Sequence, residues 1–412
     1  MKFPEAEVHD PYAALRSRDY RLFLLGRVIA IIGQQMQGVA IGWELYERTG
    51  SAMALGWVGL VQVVPVILLS LPAGQFADRF DRKRIVQIAL LILAFCSLGL
   101  TLVSIQKGAI WLFYLFLLLN GVARAFEAPA RAALLPQIVS TKVFSNAVTW
   151  NTSGFHIASV VGPALGGLVI ALHQKAVLVY LIDAVAVLIF FALLSTITWR
   201  SVARVAEAAT LESLAAGFNF VWRTKIILAS ITLDMFAVLL GGATTLLPIF
   251  AKDILQVGPS GLGWLRAAPA IGAFIMGLLI AHLPPMQKAG KTLLWAVTGF
   301  GIATVVFGIS RSFWLSLLML FLLGALDNIS VVIRHTLVQV LTPDRMRGRV
   351  SAVNNVFIGI SNELGGFESG LVAAFFGPII SAVSGGIGTM VVVLLTMLIW
   401  PEIRKFGRLD KH

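Results

Sequence analysis

This 412-residue chain is poor in charge: Asp, Glu, Lys and Arg supply 13% of it, against roughly a quarter in soluble domains. That shortage excludes a solvated globular protein of this size, and hydrophobic residues, at 58%, fill the deficit. Cysteine is nearly absent. Cys96 is the only one, so no intramolecular disulfide can form and no redox compartment follows. No Gly-rich loop ends in Lys-Ser or Lys-Thr, which removes ATP as the energy source. No His/Cys cluster has metal-ligand spacing and no Gly-x-Ser-x-Gly elbow occurs, so neither metal, cofactor nor catalytic residues are expected. An intramembrane enzyme would need a nucleophile paired with a base inside the apolar segments, and none is visible. Residues Met1 to Arg21 hold no apolar run before a cleavage site, so no removable leader is expected.

What is present is a series of apolar runs of about 20 residues, the length that crosses a bilayer as a helix. They lie near 22–46, 53–77, 85–106, 110–135, 145–172 and 176–199, then near 226–250, 260–283, 292–310, 313–340, 350–376 and 379–400. The expected fold class is an all-α integral membrane protein with twelve transmembrane helices in two six-helix bundles, 22–199 and 226–400. Segment 1–21 precedes them, 200–225 links them and 401–412 follows. An even number of spans puts both termini on one side.

Lys and Arg orient the chain. Lys2, Arg16, Arg18, Arg21, Arg79, Arg82, Lys83, Arg84, Lys142, Arg200, Arg204, Arg223 and Lys225 fall on one side. So do Lys288, Lys291, Arg345, Arg347, Arg349, Arg404, Lys405, Arg408 and Lys411. The other side keeps Arg48, Lys107, Lys175, Lys252 and Arg311. Cytoplasmic loops concentrate cations, so the first set and both termini are expected in the cytoplasm. The net charge of +12 is then explained by loops facing anionic lipid rather than by nucleic acid. Tyr12 to Arg21 is expected along the inner surface. In 200–225, Leu211, Leu214, Phe218, Val221 and Trp222 recur at spacings of three and four, so an interfacial helix in contact with the membrane is expected there.

The most polar stretch of the first hundred residues is Gly74-Gln-Phe-Ala-Asp78-Arg79-Phe-Asp81-Arg82-Lys83-Arg84. Its charges cannot lie in hydrocarbon, so it forms a tight turn at the membrane surface. The halves are also related. A constant offset of 203 residues places Gly74 on Gly277, Gly121 on Gly324 and Arg131 on Arg334. The same offset places Asn151 on Asn354, Gly162 on Gly365 and Gly167 on Gly370. With an even number of spans per half, such repeats share one membrane orientation about an axis along the normal, the construction of an alternating-access carrier with a site near the midplane.

These residues carry a resemblance. Gly74-x-x-x-Asp78-Arg79-x-x-x-Lys83-Arg84 resembles the loop signature of the major facilitator superfamily, and Gly162-Pro163-x-x-Gly166-Gly167 resembles the antiporter motif of its proton-coupled exporters. Four stretches, Leu45 to Ser51, Arg124 to Arg131, Thr342 to Ser351 and Ser361 to Gly370, are similar to the enterobactin-exporter-like group of drug and siderophore exporters. The resemblance implies a cytoplasmic latch of Gly74, Asp78, Arg79, Arg82, Lys83, Arg84 and Arg131. In it Asp78 faces the positive end of the eleventh helix near Val350 to Ala352, with Arg131 as its ion-pair partner. Asp81 stands where the superfamily has Gly, and a left-handed turn at Asp81 is expected to preserve the loop. Ala281 and His282 stand opposite Asp78 and Arg79 in the second half, so the latch is one-sided.

Ionisable residues inside spans are costly and mark function. The candidates for the cavity or for proton coupling are Arg124, Glu127, Asp234, Asp327, Arg334, Glu363 and Glu368. Arg124, Glu127 and Arg131 share one face of the fourth span, and a static pair of Glu127 with Arg124 or Arg131 competes with proton coupling. Arg334 is expected to pair with Glu363 or Glu368. Arg27 is expected to snorkel, and Asp183 and His156 to make structural hydrogen bonds. The reading is a secondary transporter of the cytoplasmic membrane that exports a small amphipathic molecule, siderophore- or drug-like, by proton antiport. Its expected partners are substrate, protons and lipid, with the chain a monomer and without nucleic acid. Alternatives are a proton-coupled symporter importing a metabolite and a non-transporting receptor.

Overall fold

The computed structural model describes residues 10–198, 211–284 and 286–407. Lys2, Arg200, Arg204, Arg408 and Lys411 lie outside the described residues, as does the linker between 198 and 211. The side chains of Leu211, Leu214, Arg345, Ala352, Asn355 and Lys405 lie outside them too. The first half holds α1 (Arg18–Thr49), α2 (Ala52–Arg79), α3 (Arg82–Ile105), α4 (Ile110–Ile138), α5 (Phe144–His173) and α6 (Val177–Thr196). After α7 (Leu211–Arg223), the seventh span is broken. It runs as α8 (Lys225–Leu240), a 3-10 stretch (Gly242–Leu246), a single turn α9 (Leu247–Ile249) and a π-helical turn (Phe250–Ile254). Then follow α10 (Gly258–His282), α11 (Ala289–Ile309), α12 (Phe313–Leu341), α13 (Asp344–Phe376), α14 (Pro378–Ile399) and the short α15 (Glu402–Lys405).

Eleven of these spans are long and apolar enough to cross a membrane. The twelfth is α13, whose middle carries Asn354, Ser361, Asn362 and Glu363. Its 33 residues make it about 50 Å long at 1.5 Å per residue, more than a bilayer core requires. The turns between spans use local chemistry. Ser17 and Ser51 accept bonds from Tyr20 N and Ala54 N at the starts of α1 and α2, satisfying amides that have no partner inside the helix. Gly50 ends α1 with φ 60°, a conformation that a Cβ would strain.

The repeat is visible as exchanged contacts. A Cβ on Gly162 of α5 would stand 2.5 Å from Gln35 Cβ on α1, and one on Gly365 of α13 would stand 2.6 Å from Val238 O on α8. Gln35 and Val238 are themselves 203 residues apart. In the same way Gly167 touches the backbone of Pro259, while Gly370 touches that of Gly56. The second contact is the image of the first with the halves swapped, as a twofold along the membrane normal requires.

Hydrophobic packing divides the molecule along its length. At the end bearing the α1–α2 turn, called here the far end, one core is shared by both halves, with Met36, Val39, Leu55 and Leu117 beside Leu246, Phe250, Leu262 and Phe307. At the opposite, basic end the cores separate. Tyr20, Phe23, Val86, Leu134 and Phe190 form one within the first half. Leu233, Leu293, Ile333 and Val393 form another within the second. The bundles therefore meet at the far end and part at the basic end.

The segment before α1 and the linker helix α7 both pack against the bundles. Residues 11–14 are tied to α5, where Asn146 and Trp150 donate to Pro11 O at 2.8 and 3.0 Å. The stripe on α7 is divided. Val221 is buried against Ile227, Val338 and Val350, and Gly217 lies on the backbone of Arg349. Phe218 and Trp222 stay exposed.

Candidate functional site

The α2–α3 turn is built from its charges, each with a different task. Asp81 has φ −61° and ψ 111°, so the expected left-handed turn is absent. An extended N-cap suits Asp better than it suits Gly, because the carboxylate accepts from Lys83 N at 2.9 Å and Arg84 N at 3.3 Å. Lys83 reaches across to the last carbonyls of α6, donating to Ser195 O and Ile197 O at 3.0 and 2.8 Å. A cation there complements the negative end of the helix dipole. Arg82 donates to Ala77 O and to Ala133 O of α4, both at 3.1 Å. The turn thus ties together the basic ends of α2, α3, α4 and α6.

Asp78 pairs with Arg82 at 3.8 Å, and Arg131 pairs with Glu127 at 2.5 Å. The expected Asp78–Arg131 pair is therefore not formed in this conformation. The eleventh span also begins earlier than expected, at Asp344. This moves the positive end of its dipole away from Val350 and Ala352, which lie inside the helix. Gly74 and Gly348 face open space, as the separated cores at this end require. Arg79 and Arg84 are exposed on the turn, with Arg84 4.0 Å from Asp81.

Between the bundles, near the middle of the spans, lies a cavity of about 480 Å³. Three charged side chains line it: Arg124 of α4, Arg266 of α10 and Glu363 of α13. Arg266 reaches over α1, its Nη1 standing 3.1 Å from where a Cβ on Gly38 would be. Glu363 leans on α2 in the same way, its Oε2 lying 2.7 Å from the Cβ position of Gly59. Glycine at 38 and 59 is what lets second-half charges rest against first-half helices. Gln34, with its amide turned to accept, takes bonds from Arg124 Nη2 and Nε at 2.7 and 3.1 Å. A second cavity of about 340 Å³ shares Ser159, Thr244, Pro269 and Ala270 with the first. It is lined by Phe155, His156, Phe300 and Asp327.

A third space, about 160 Å³, lies inside the first bundle beside Arg27, Arg124, Glu127, Arg131 and Asp183. Arg27 does not snorkel: it donates to Asn151 Oδ1 at 2.6 Å. Asp183 accepts from Ser97 at 2.6 Å and Gln37 at 2.9 Å, the structural role expected of it. His156 makes no structural hydrogen bond among the described residues. Its ring lies against Phe155 and Phe274 and faces the space between the bundles. Arg334 pairs with Asp234, not with Glu363 or Glu368, and both side chains are buried. Asp234 accordingly sits within the second bundle rather than on the central cavity. Glu368 contacts Ser369 at 3.4 Å and lines neither central cavity.

At the far end the bundles are sealed by close backbone approach. Gly167 lies on Pro259 and Gly263, and Gly370 on Gly56 and Ala52. Gly162 and Gly166 let α5 settle on Ile32 and Met36 of α1, and Pro163 lends its carbonyl to the contact with Gly263. Small residues of this kind allow dispersion contacts that larger side chains would hold apart. Polar contacts frame the seal. Tyr46 donates to Asp253 on the π-helical turn across the bundles, and Arg48 pairs with Glu44 at 3.5 Å.

Sequence reasoning passed over Arg266, Asp253 and Glu44. Arg266 carried a readable signal, as an arginine inside an apolar span. The pairing of Asp253 with Tyr46, some 200 positions distant in the chain, had none.

The profile of a family described as "Transmembrane secretion effector" matches residues 9–410. The chain belongs to that family of major facilitator transporters. Relatives include the enterobactin exporter EntS of Escherichia coli O81 (strain ED1a), 25% identical over 388 residues that cover 94% of this chain and 93% of the relative. EntS of Shigella boydii serotype 18 (strain CDC 3083-94 / BS512) gives the same identity and coverage. Among solved structures, a bacterial homologue of the human lysosomal transporter Spinster, inward-facing and unoccupied, aligns with a TM-score of 0.69 at 15% identity. That alignment covers 97% of this chain and 96% of the other. The nucleoside transporter NupG aligns with a TM-score of 0.76 at 14% identity, over 93% and 99% of the two chains. These two likenesses concern the fold alone. The chain is a multi-pass membrane transporter and not an enzyme.

Proposed function

We propose that this transporter exports a small amphipathic organic molecule from the cytoplasm by alternating access, in exchange for protons. The observation that carries the reading is the division of the core. The bundles share one hydrophobic core at the far end and keep separate cores at the basic end, with a charged cavity between them at mid-depth. Cations mark the cytoplasmic side, so the conformation is inward-facing, in the inner membrane of a bacterium, and ready to load. Export over import is supported by the Gly162-Pro163-x-x-Gly166-Gly167 stretch at the seal and by the exporter names of the relatives. Of the carboxylates singled out above, Glu363 is the one that lines the cavity between the bundles, together with Arg124 and Arg266. Protonation there would change the balance of charge that a substrate meets.

Flux in proteoliposomes tests the exchange. An imposed pH gradient is expected to drive a siderophore- or drug-like substrate against its concentration gradient, and flux indifferent to that gradient would refute proton antiport. The latch has its own test. In the outward-facing state the basic ends close, bringing Asp78 towards the start of α13. Asp78→Asn is expected to reduce flux to background while expression and membrane insertion persist, because charge–dipole stabilisation of about 0.3–2 kcal/mol disappears from one state only. Unchanged flux in that variant would sink the latch.

A further inference from the structure

The charges around the central cavity do not balance, and the imbalance has a direction. Arg124 and Arg266 come from opposite bundles and line one space, where Glu363 is the single acid. The other acids of the spans nearby are committed elsewhere: Glu127 to Arg131 and Asp234 to Arg334. Asp183 is held by Ser97 and Gln37. Neither Arg266 nor Glu363 enters any ion pair among the described residues. Arg266 is partly accessible to the cavity and makes no hydrogen bond among the described residues, so its N–H groups open onto that space.

The shape adds a second requirement. The adjoining cavity places Phe155, Phe300 and His156 beyond the wall formed by Ser159 and Thr244, with Asp327 among them. An elongated ligand would therefore meet cations at one end and aromatic faces at the other. The combined space falls in the range that holds drug-sized molecules. Asp327 would repel a second negative charge at the aromatic end.

We infer that the cavity is a binding site for singly anionic, aromatic organic molecules, with the anionic group between Arg124 and Arg266 and the aromatic body against Phe155 and Phe300. Guanidinium groups suit a carboxylate or sulfonate because their N–H groups can engage it in pairs. Glu363 offsets one of the two guanidinium charges without pairing with either, so the site keeps a net positive charge. An anion that bridges the two arginines links one bundle to the other, which couples loading to the movement of the bundles. This inference rests on the carrier reading above and assigns its substrate class.

Three probes with one fluorophore test it: dansylglycine, dansylglycinamide and dansylcadaverine, which are anionic, neutral and cationic. Binding of each is measured by fluorescence to the full-length protein in phosphatidylcholine nanodiscs, with empty nanodiscs as blank. Dansylglycine is expected to bind at least about tenfold tighter than dansylglycinamide, as for a charge-assisted hydrogen-bonded contact, and dansylcadaverine weakest. Arg266→Gln is expected to remove the anion's advantage, bringing the affinities for dansylglycine and dansylglycinamide to within about twofold of each other. That comparison among probes in the unmodified protein needs no variant to fold. Equal affinity for the anion and the amide, preference for the cation, or no saturable binding of dansylglycine would overturn the assignment. Anion-selective binding without flux would instead refute the carrier and leave the anion site standing. Flux of all three probes at equal rates would do the reverse.

Discussion

Gly167→Val is expected to abolish transport without unfolding the protein. A Cβ at position 167 would stand 2.9 Å from Gly263 Cα and N, and closer still to Pro259 O. All three are backbone atoms, so no side chain can swing aside, and α5 must separate from α10. Overpacking of this sort costs about 1–3 kcal/mol. The cost falls only on the state in which the far end is closed, so it shifts the balance between states by a factor of roughly 5–150. A carrier held in one state cannot complete its cycle. Gly370→Val, at the symmetry-related contact with Gly56, is expected to act in the same way. Leu165→Val, on the exposed side of α5, is the matched control and should transport normally. The measurement is initial flux in proteoliposomes beside the thermal unfolding midpoint of the same preparation. Normal flux through Gly167→Val would show that this contact is not part of the cycle.

The second large effect concerns stability. Asp234 and Arg334 pair inside the second bundle, with side-chain exposures of 8% and 2%. Removing one partner strands a buried charge, which costs about 3–5 kcal/mol, whereas replacing both with apolar residues of similar volume is often neutral. Asp234→Asn and Arg334→Gln are therefore each expected to lower the unfolding midpoint by several degrees, while the double variant Asp234→Leu/Arg334→Met unfolds close to the parent. Fluorescence-monitored unfolding in detergent reads this directly. If either single variant unfolds with the parent, the pair is not the static brace described here. If the double variant is stable yet loses only its response to a pH gradient, Asp234 belongs to proton coupling.

How much of this was legible follows from the kind of contact involved. The apolar runs and the 203-residue offset foretold the spans and the twofold, because bilayer thickness and repeat symmetry act on the sequence directly. The Gly74–Arg84 turn was legible as a turn but not in its assignments. Asp81 looked like a departure needing excuse, and proved to be a helix cap. Lys83 looked like a topology signal, and proved to brace the end of α6, more than a hundred residues away. Arg334 was visible as an intramembrane charge, yet its expected partner, Glu363 or Glu368, was the wrong one, since the pairing with Asp234 depends on how the helices are rotated. The break in the seventh span was signalled by Gly241, Gly242 and Pro248, and α13 lies against the chain at Gly242. Arg266, which together with Arg124 gives the cavity its sign, went unremarked because the cation census weighed loops rather than spans.

Alternating access requires the closed far end and the open basic end to be one of two reciprocal states. Paired spin-label distances test it most directly. In a Cys96→Ser background, one pair at Ser140→Cys and Gln339→Cys reports the basic end, and another at Lys107→Cys and Arg311→Cys reports the far end. All four sites are exposed. With Gly167→Val added, the basic-end distance is expected to shorten while the far-end distance lengthens, both in the same population. Distances that lengthen together, or that do not change, would contradict alternating access in this protein.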